Sequence, residues 1–318
     1  MIRPGVGDLL ARLDTLVFDV DGVLLDISGS IRQVNVLAIP AYLRTLPGWS
    51  APDDLLTSED IERFKRAGGF NDDWDLTYAA VLLYLFKSAR HGATDAAQLH
   101  RLSPTIAEYT GAVAERGGWL AAAESLVFEQ ATPEEATAIR ALWDHDRIRR
   151  IFQELYAGDL APRLYGFVPA INPGPGKIRN DRPLLDRSRI PENKTLAVLT
   201  GRTLAEAEVA LEMAGLAERV PLPARGITKD DGFYKPEPWG MRALLTRPDA
   251  RVALYIGDAL DDLRTVLAFR ALPEARGITL LSAQVLTGTA GPDAPRLFAE
   301  ADILAPDVNA VLDLIRSR

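Results

Sequence analysis

Apolar residues follow two different rhythms along this chain. Thr15 to Phe18, Leu196 to Leu199, Val252 to Ile256, Ile278 to Leu281 and Ile303-Leu304 are short, almost unbroken apolar runs. Such runs mark strands buried on both faces of a parallel sheet. From about Ser30 to Asp186 the pattern is instead that of successive helices. Ile31 to Leu46 is closed by Pro47-Gly48, and Thr57-Ser58-Glu59-Asp60 has the form of a capping box before a helix ended by Gly68. A third helix starts at Asn71 or Asp72 and carries the apolar stretch Tyr78 to Phe86. Thr105 to Arg116 and Leu120 to Phe128 follow, and Thr132-Pro133-Glu134-Glu135 opens a long helix predicted to reach about Tyr156.

Beyond Pro173-Gly174-Pro175-Gly176, strands alternate with helices over Thr203 to Met213, Leu263 to Ala271 and Val308 to Arg316. Alternation of this kind predicts an α/β fold with a doubly wound, Rossmann-like parallel sheet. The expected domains are an α/β core of residues 1–29 and 187–318, and a large, mostly α-helical domain of residues 30–186 inserted after the first strand. Residues 172–183 read as the linker.

A length of 318 residues suits two domains, and 47% hydrophobic with 25% charged residues is an ordinary globular composition. The balance of 36 basic and 44 acidic residues, a net charge of -8, disfavours nucleic acid or an anionic membrane as partner. It leaves room for a small anionic substrate at a locally cationic site. The absence of cysteine excludes disulfides, thiolate metal sites and cysteine nucleophiles. His91, His100 and His145 lack the spacing of a helical metal site and read as surface residues. No signal peptide is apparent, and Tyr78 to Phe86 is too short to cross a bilayer, so a cytoplasmic location is expected. The pattern carries no signal for oligomeric state.

Chemistry concentrates where strands end. Phe18 runs into Asp19 and Asp21, spaced i, i+2, with Gly22 free to turn the backbone sharply. In open α/β sheets ligands bind beyond the carboxyl ends of strands, although aspartates there also serve as plain turn residues. Leu199-Thr200-Gly201-Arg202 places a hydroxyl and backbone N–H groups before a helix N-terminus, which suits a phosphate oxygen and equally an ordinary turn. Lys235, before Pro236, balances nearby carboxylates or sits in solvent. In Gly257-Asp258-Ala259-Leu260-Asp261-Asp262 a buried strand again meets carboxylates, one of which can cap the next helix. Like charges about 4 Å apart repel by roughly 4 kcal/mol at an effective dielectric near 20. Converging Asp19, Asp21, Asp258 and Asp262 therefore need a cation, and an all-oxygen set points to Mg2+.

The order DxDG, TG, KP, GDxxxD on successive strand ends resembles the haloacid dehalogenase superfamily of phosphohydrolases. The helical insertion looks like the C1 cap of its subfamily I, in the phosphoglycolate-phosphatase-like branch. Carried over residue by residue, the resemblance implies that Asp19 is a nucleophile forming an aspartyl-phosphate and Asp21 the acid and base. Thr200, Gly201 and Lys235 would hold the phosphoryl oxygens. Asp19, the Asp21 carbonyl, Asp258 and Asp262 would bind magnesium, directly or, for Asp262, through water. Ala259 departs from the Ser or Thr often found there, and the role of Asp261 is open. An acid at Asp21 favours phosphoryl transfer over dehalogenation.

The expectation is thus a magnesium-dependent phosphatase acting on a small-molecule phosphomonoester. A phosphomutase using the same intermediate and a non-catalytic phosphate-ligand-binding protein are the alternatives. Phosphate release without a bisphosphate activator separates the first, and the completeness of the acid pair argues against the second. In C1-capped relatives the cap contacts the leaving group, which directs attention to Arg66, Asn71 and Trp74 between two predicted helices. Capping and helix termination explain several of these residues equally well. Gly29 and residues 173–176 are candidate hinges.

Overall fold

The computed structural model describes residues 1–318 except 71, 247–249 and 288–293. It divides into one unit of Met1–Ile27 with Asp181–Arg318 and a second of Ser28–Asn180.

The first unit is built on a six-stranded, all-parallel sheet. Its strands are β1 (Thr15–Phe18), β4 (Thr195–Leu199), β5 (Gly226–Ile227), β6 (Val252–Gly257), β7 (Thr279–Val285) and β8 (Ile303–Ala305), in the order β5-β4-β1-β6-β7-β8. A separate two-stranded antiparallel ribbon joins β2 (Leu25–Asp26) to β3 (Arg182–Pro183). Alternate residues of the strands feed two cores, as the twofold period of a strand requires. Phe18, Val198, Leu254 and Ile256 pack with Val311, Leu312 and Ile315 of the last helix. Val17, Leu199 and Tyr255 pack on the other side with Met241, Leu245 and Phe269. Because β4 and β6 flank β1 and the chain winds outward from both, the sheet's topological switch point lies at β1, which ends in Asp19.

The second unit is organised around the helix Asp73–His91. Every residue from Leu76 to Lys87 in it is buried, which explains a stretch that is apolar all round rather than on one face. Predicted capping boxes form at Thr57 and Thr132, and Gly68 ends its helix at φ 89°. No helix among the described residues is long and apolar enough to cross a membrane.

Four expectations need correction. The long helix from Pro133 is two helices, Pro133–Leu142 and His145–Ala157. Asp144 caps the second by accepting from the Arg147 N–H, and the Tyr42 hydroxyl fills the gap, donating to the Leu142 carbonyl and accepting from the Asp144 N–H. His145 is half-buried rather than on the surface, stacked on Tyr78 with centroids 4.2 Å apart, and His100 meets the Tyr84 hydroxyl at 2.7 Å. Residues 181–186 group with the sheet unit, because Arg182 and Pro183 pair with Asp26 and Leu25. β7 runs on to Val285 because its polar Ser282 is satisfied by Asp302, whose carboxylate accepts from both the Ser282 N–H and its hydroxyl.

The Pro-Gly stretch is packed against its own helix instead of being a loose tether. A Cβ on Gly176 would lie 2.2 Å from the Tyr156 carbonyl oxygen. Just before it, the Glu154 carboxylate, 2% exposed, accepts from the N–H groups of Ala170 at 2.7 Å and Ile171 at 2.5 Å and from Arg150 Nε at 2.8 Å. Burial raises its pKa, but these donors outweigh burial and leave it below the usual carboxylate range. A depressed folded pKa adds stability above the unfolded value, which is lost as pH falls through the folded one. Glu154→Gln is therefore expected to cost about 2 kcal/mol near neutrality, a cost that shrinks as pH falls from about 4.3 through the lower folded pKa, in urea titrations at neutral and acid pH.

Candidate active site

The carboxyl ends of β1, β4 and β6 bring together most of the residues singled out in the sequence. Asp19 follows β1 directly and is 6% exposed. Its Oδ1 accepts from the Val20 N–H at 2.8 Å and from Lys235 Nζ at 2.8 Å. Lys235 also reaches Asp262 Oδ1 at 2.7 Å, so one ammonium bridges the carboxylates that follow two neighbouring strands. It lies directly before a cis Lys235-Pro236 peptide, in the turn that precedes the helix Trp239–Leu245.

Asp262 is fully buried at the third position of the helix Leu260–Arg270. Its Oδ2 accepts from the N–H groups of Asp258, 3.0 Å, and Ala259, 2.9 Å, and its Oδ1 accepts from the Tyr255 hydroxyl, 2.7 Å, as well as from Lys235. All four acceptor sites of this carboxylate are thus engaged. Asp262 fixes the turn that presents Asp258. Asp261 points elsewhere and pairs with Arg264 at 3.1 Å.

Asp19, Asp258 and Asp262 each offer a carboxylate oxygen, and these oxygens all lie within 4.8 Å of one another. Two glycines make room for this. A Cβ on Gly22, at φ 71°, would fall 2.3 Å from Asp258 Oδ2, and one on Gly257 would fall 2.4 Å from Asp262 Cβ. Burial above all pushes Asp19 up to about 7; Lys235 opposes it, while Asp262 and Asp21 add to it. Asp258 is driven well above the carboxylate range by burial, then by Asp262 and Asp19. Burial by itself lowers the Lys235 pKa, but Asp19 and Asp262 more than reverse this and hold it above the ordinary lysine range. Clustered acids that resist ionisation, crowded on a single ammonium, are short of positive charge. The group fits a divalent cation with oxygen ligands.

Asp21, with its side chain 29% exposed, meets Arg202 through Oδ1, at 2.9 Å from Nε and 2.7 Å from Nη2. Arg202 Nη2 also contacts Asp181 Oδ2 at 3.0 Å, and both Arg202 and Asp181 are buried. Thr200 is fully buried. Its hydroxyl oxygen accepts from the Arg202 N–H at 3.2 Å, which leaves the O–H able to donate. Gly201 is exposed, with nothing within 4 Å of where a Cβ would lie. The helix beyond begins at Leu204, capped by Thr203.

Sequence reasoning passed over Arg202, Asp181 and Tyr255. A signal existed for two of them: Arg202 adjoins the Thr200-Gly201 motif, and Tyr255 is the one hydroxyl in the apolar run of β6. Asp181 lay in a stretch read as linker.

In the helical unit, Arg66 is exposed and ion-paired with Glu59 at 3.3 Å. Trp74 is the second residue of the helix Asp73–His91, donates its N–H to the capping Asp72 carboxylate and lies under Arg149, 5.6 Å from ring centroid to guanidinium carbon. Asn71 lies outside the described residues. Beside this segment Trp119, 46% exposed, lies against Gly69 and donates its backbone N–H to the Gly68 carbonyl at 2.9 Å.

No protein-family model and no curated protein matches the chain. Among solved structures it is similar to the phosphatase Tt82 from Thermococcus thioreducens, with 21% identity over 95% of this chain and 99% of that one and a TM-score of 0.61. It is also similar to a structural-genomics target solved by X-ray crystallography, with 17% identity over 96% and 99% of the two chains and a TM-score of 0.60. At such identities the likeness is one of fold. With a parallel sheet in the order above, a helical insertion after its first strand and these structural relatives, the chain has the haloacid dehalogenase-like fold.

Proposed function

We propose that this chain is a magnesium-dependent phosphatase, a phosphoric monoester hydrolase that acts on a small phosphorylated molecule through an aspartyl-phosphate on Asp19. The observation that carries this reading is the buried Asp19 carboxylate beside Lys235 and within a group of three acids, at the end of the strand where the strand order reverses. The name of the Thermococcus protein, a phosphatase, agrees with it.

Lys235 and the Val20 N–H hold Asp19 Oδ1, so the second oxygen of the carboxylate is the one to attack phosphorus. As the Asp19 oxygen–phosphorus bond forms, the bond from phosphorus to the leaving oxygen breaks and that oxygen takes a proton from Asp21. Water then attacks phosphorus and gives its proton back to Asp21. The Asp19 oxygen–phosphorus bond breaks, and inorganic phosphate leaves. The Thr200 hydroxyl and the Gly201 N–H donate to phosphoryl oxygens, and the Lys235 ammonium offsets their charge. Asp19, Asp258 and the Asp21 main-chain carbonyl would hold Mg2+, with Asp262 adding charge behind them. Bound there, the ion would neutralise the acids and the phosphoryl group together.

Phosphate release from a panel of phosphomonoesters, with magnesium and with a chelator, tests the reading. Release is expected only with magnesium. Asp258→Asn should raise the magnesium concentration for half-maximal rate by at least about tenfold, since even outer-shell changes have effects of that size, and it should remove the rise in melting temperature that magnesium gives the wild type. Release that ignores the chelator would exclude the metal from the reaction, and a wild type that attacks none of the esters would exclude phosphatase activity on them.

A further inference from the structure

Arg202 is 3% exposed and touches two carboxylates of the sheet unit at once. Arginine is seldom buried this far unless paired, and here the guanidinium meets both Asp21 and Asp181. A buried ion pair is a poor device for stability, because desolvation offsets much of the attraction. Its geometry, by contrast, is specific. Nε and Nη2 both converge on Asp21 Oδ1 from one rigid planar fork, which does not engage Oδ2.

Asp181 accepts from the same Nη2 through its Oδ2, and its own side chain is fully buried. It is the first residue of the sheet unit after the chain returns from the helical one, immediately before β3. At the other end of that ribbon, Leu25 of β2 forms a bridge with Asp21. The two crossings of the chain are therefore tied to Asp21 twice, once by backbone and once through Arg202.

We infer that Arg202, held by Asp181, is the positioning residue of the acid and base Asp21. The inference rests on the phosphatase reading, in which Asp21 passes its proton to the leaving oxygen. A displaced Asp21 matters most where that oxygen is a poor leaving group and matters little where it departs without a proton.

The test compares glycerol phosphate, an alkyl ester, with para-nitrophenyl phosphate, whose leaving group is good. For Arg202→Ala, kcat/KM, which reports the step that expels the leaving oxygen and not the water attack common to both esters, should fall on the order of a hundredfold on the alkyl ester and less than about tenfold on the aryl ester, with the alkyl-ester loss carried by kcat. Added guanidinium chloride should restore part of the alkyl-ester rate. Asp181→Asn keeps shape and leaves Arg202 its other partner, so it decides the matter if Arg202→Ala fails to fold; about a tenfold loss with the same bias toward the alkyl ester is expected. Equal losses of kcat/KM on the two esters, an alkyl-ester loss confined to KM, or an Asp181→Asn enzyme indistinguishable from wild type overturns the inference. A wild type inactive on both esters would instead count against the phosphatase reading, and no variant is needed to see it.

Discussion

Asp19→Asn is expected to slow phosphate release at least about 10^4-fold while leaving the chain folded. The amide is nearly the shape of the carboxylate, and its oxygen can still accept from the Val20 N–H and Lys235, the two donors that hold Asp19 Oδ1. What it lacks is an anionic oxygen able to attack phosphorus. Charge accounting gives the stability side of the same prediction. Lys235 would keep Asp262 as partner at 2.7 Å, and a group of three acids would become a group of two. The melting temperature without magnesium should therefore be equal to or above that of the wild type, while the rise produced by magnesium shrinks. A variant that is inactive because it is unfolded would show the opposite pattern.

Lys235→Met should be costly in both respects. The ammonium is the bridge between Asp19 and Asp262, and its side chain is only 13% exposed. Removing one partner from a buried ion pair leaves the other charges uncompensated, at a cost of about 3–5 kcal/mol. That loss should appear in full in the presence of a chelator and be partly recovered with magnesium, whose charge stands in for the ammonium. Activity should not recover with it. A lost donor to the developing phosphoryl charge is worth on the order of 10^2–10^3 in kcat, and magnesium does not occupy the place of Nζ. Urea titrations with and without magnesium, beside steady-state rates, separate the two effects.

The α/β architecture was legible because strands buried on both faces have few sequence alternatives, and because each motif falls where such a strand stops. β1 and β6 illustrate this: apolar runs end in Asp19 and Asp258, and the sheet places the two ends side by side. The seven-residue β7 was read short, since Ser282 looks like a strand end until Asp302, twenty residues later, supplies its partner. The break at Trp143-Asp144 was missed for a similar reason. A strong start at Pro133 concealed a second start at Asp144, and the Tyr42 hydroxyl that fills the gap comes from about a hundred residues earlier. Within the site, motif residues were visible and their supports were not. Tyr255 and Asp181 act through tertiary hydrogen bonds that no local spacing announces. Asp262 shows a further limit: its position in GDxxxD marks a candidate site acid, but only the structure reveals that Oδ2 holds the Asp258 turn while Oδ1 accepts from Tyr255 and Lys235.

The central claim is that phosphorus passes through Asp19, and it is tested most directly by trapping the intermediate. The enzyme, mixed with magnesium and para-nitrophenyl phosphate, is quenched during turnover with borohydride, which reduces an acyl phosphate to the alcohol, and the peptides are mapped by mass spectrometry. The predicted result is conversion of Asp19, and of no other carboxylate, to the homoserine side chain, only when substrate and magnesium are both present and not in Asp19→Asn. Turnover with Asp19 unchanged, or with the modification at another residue, would contradict the account.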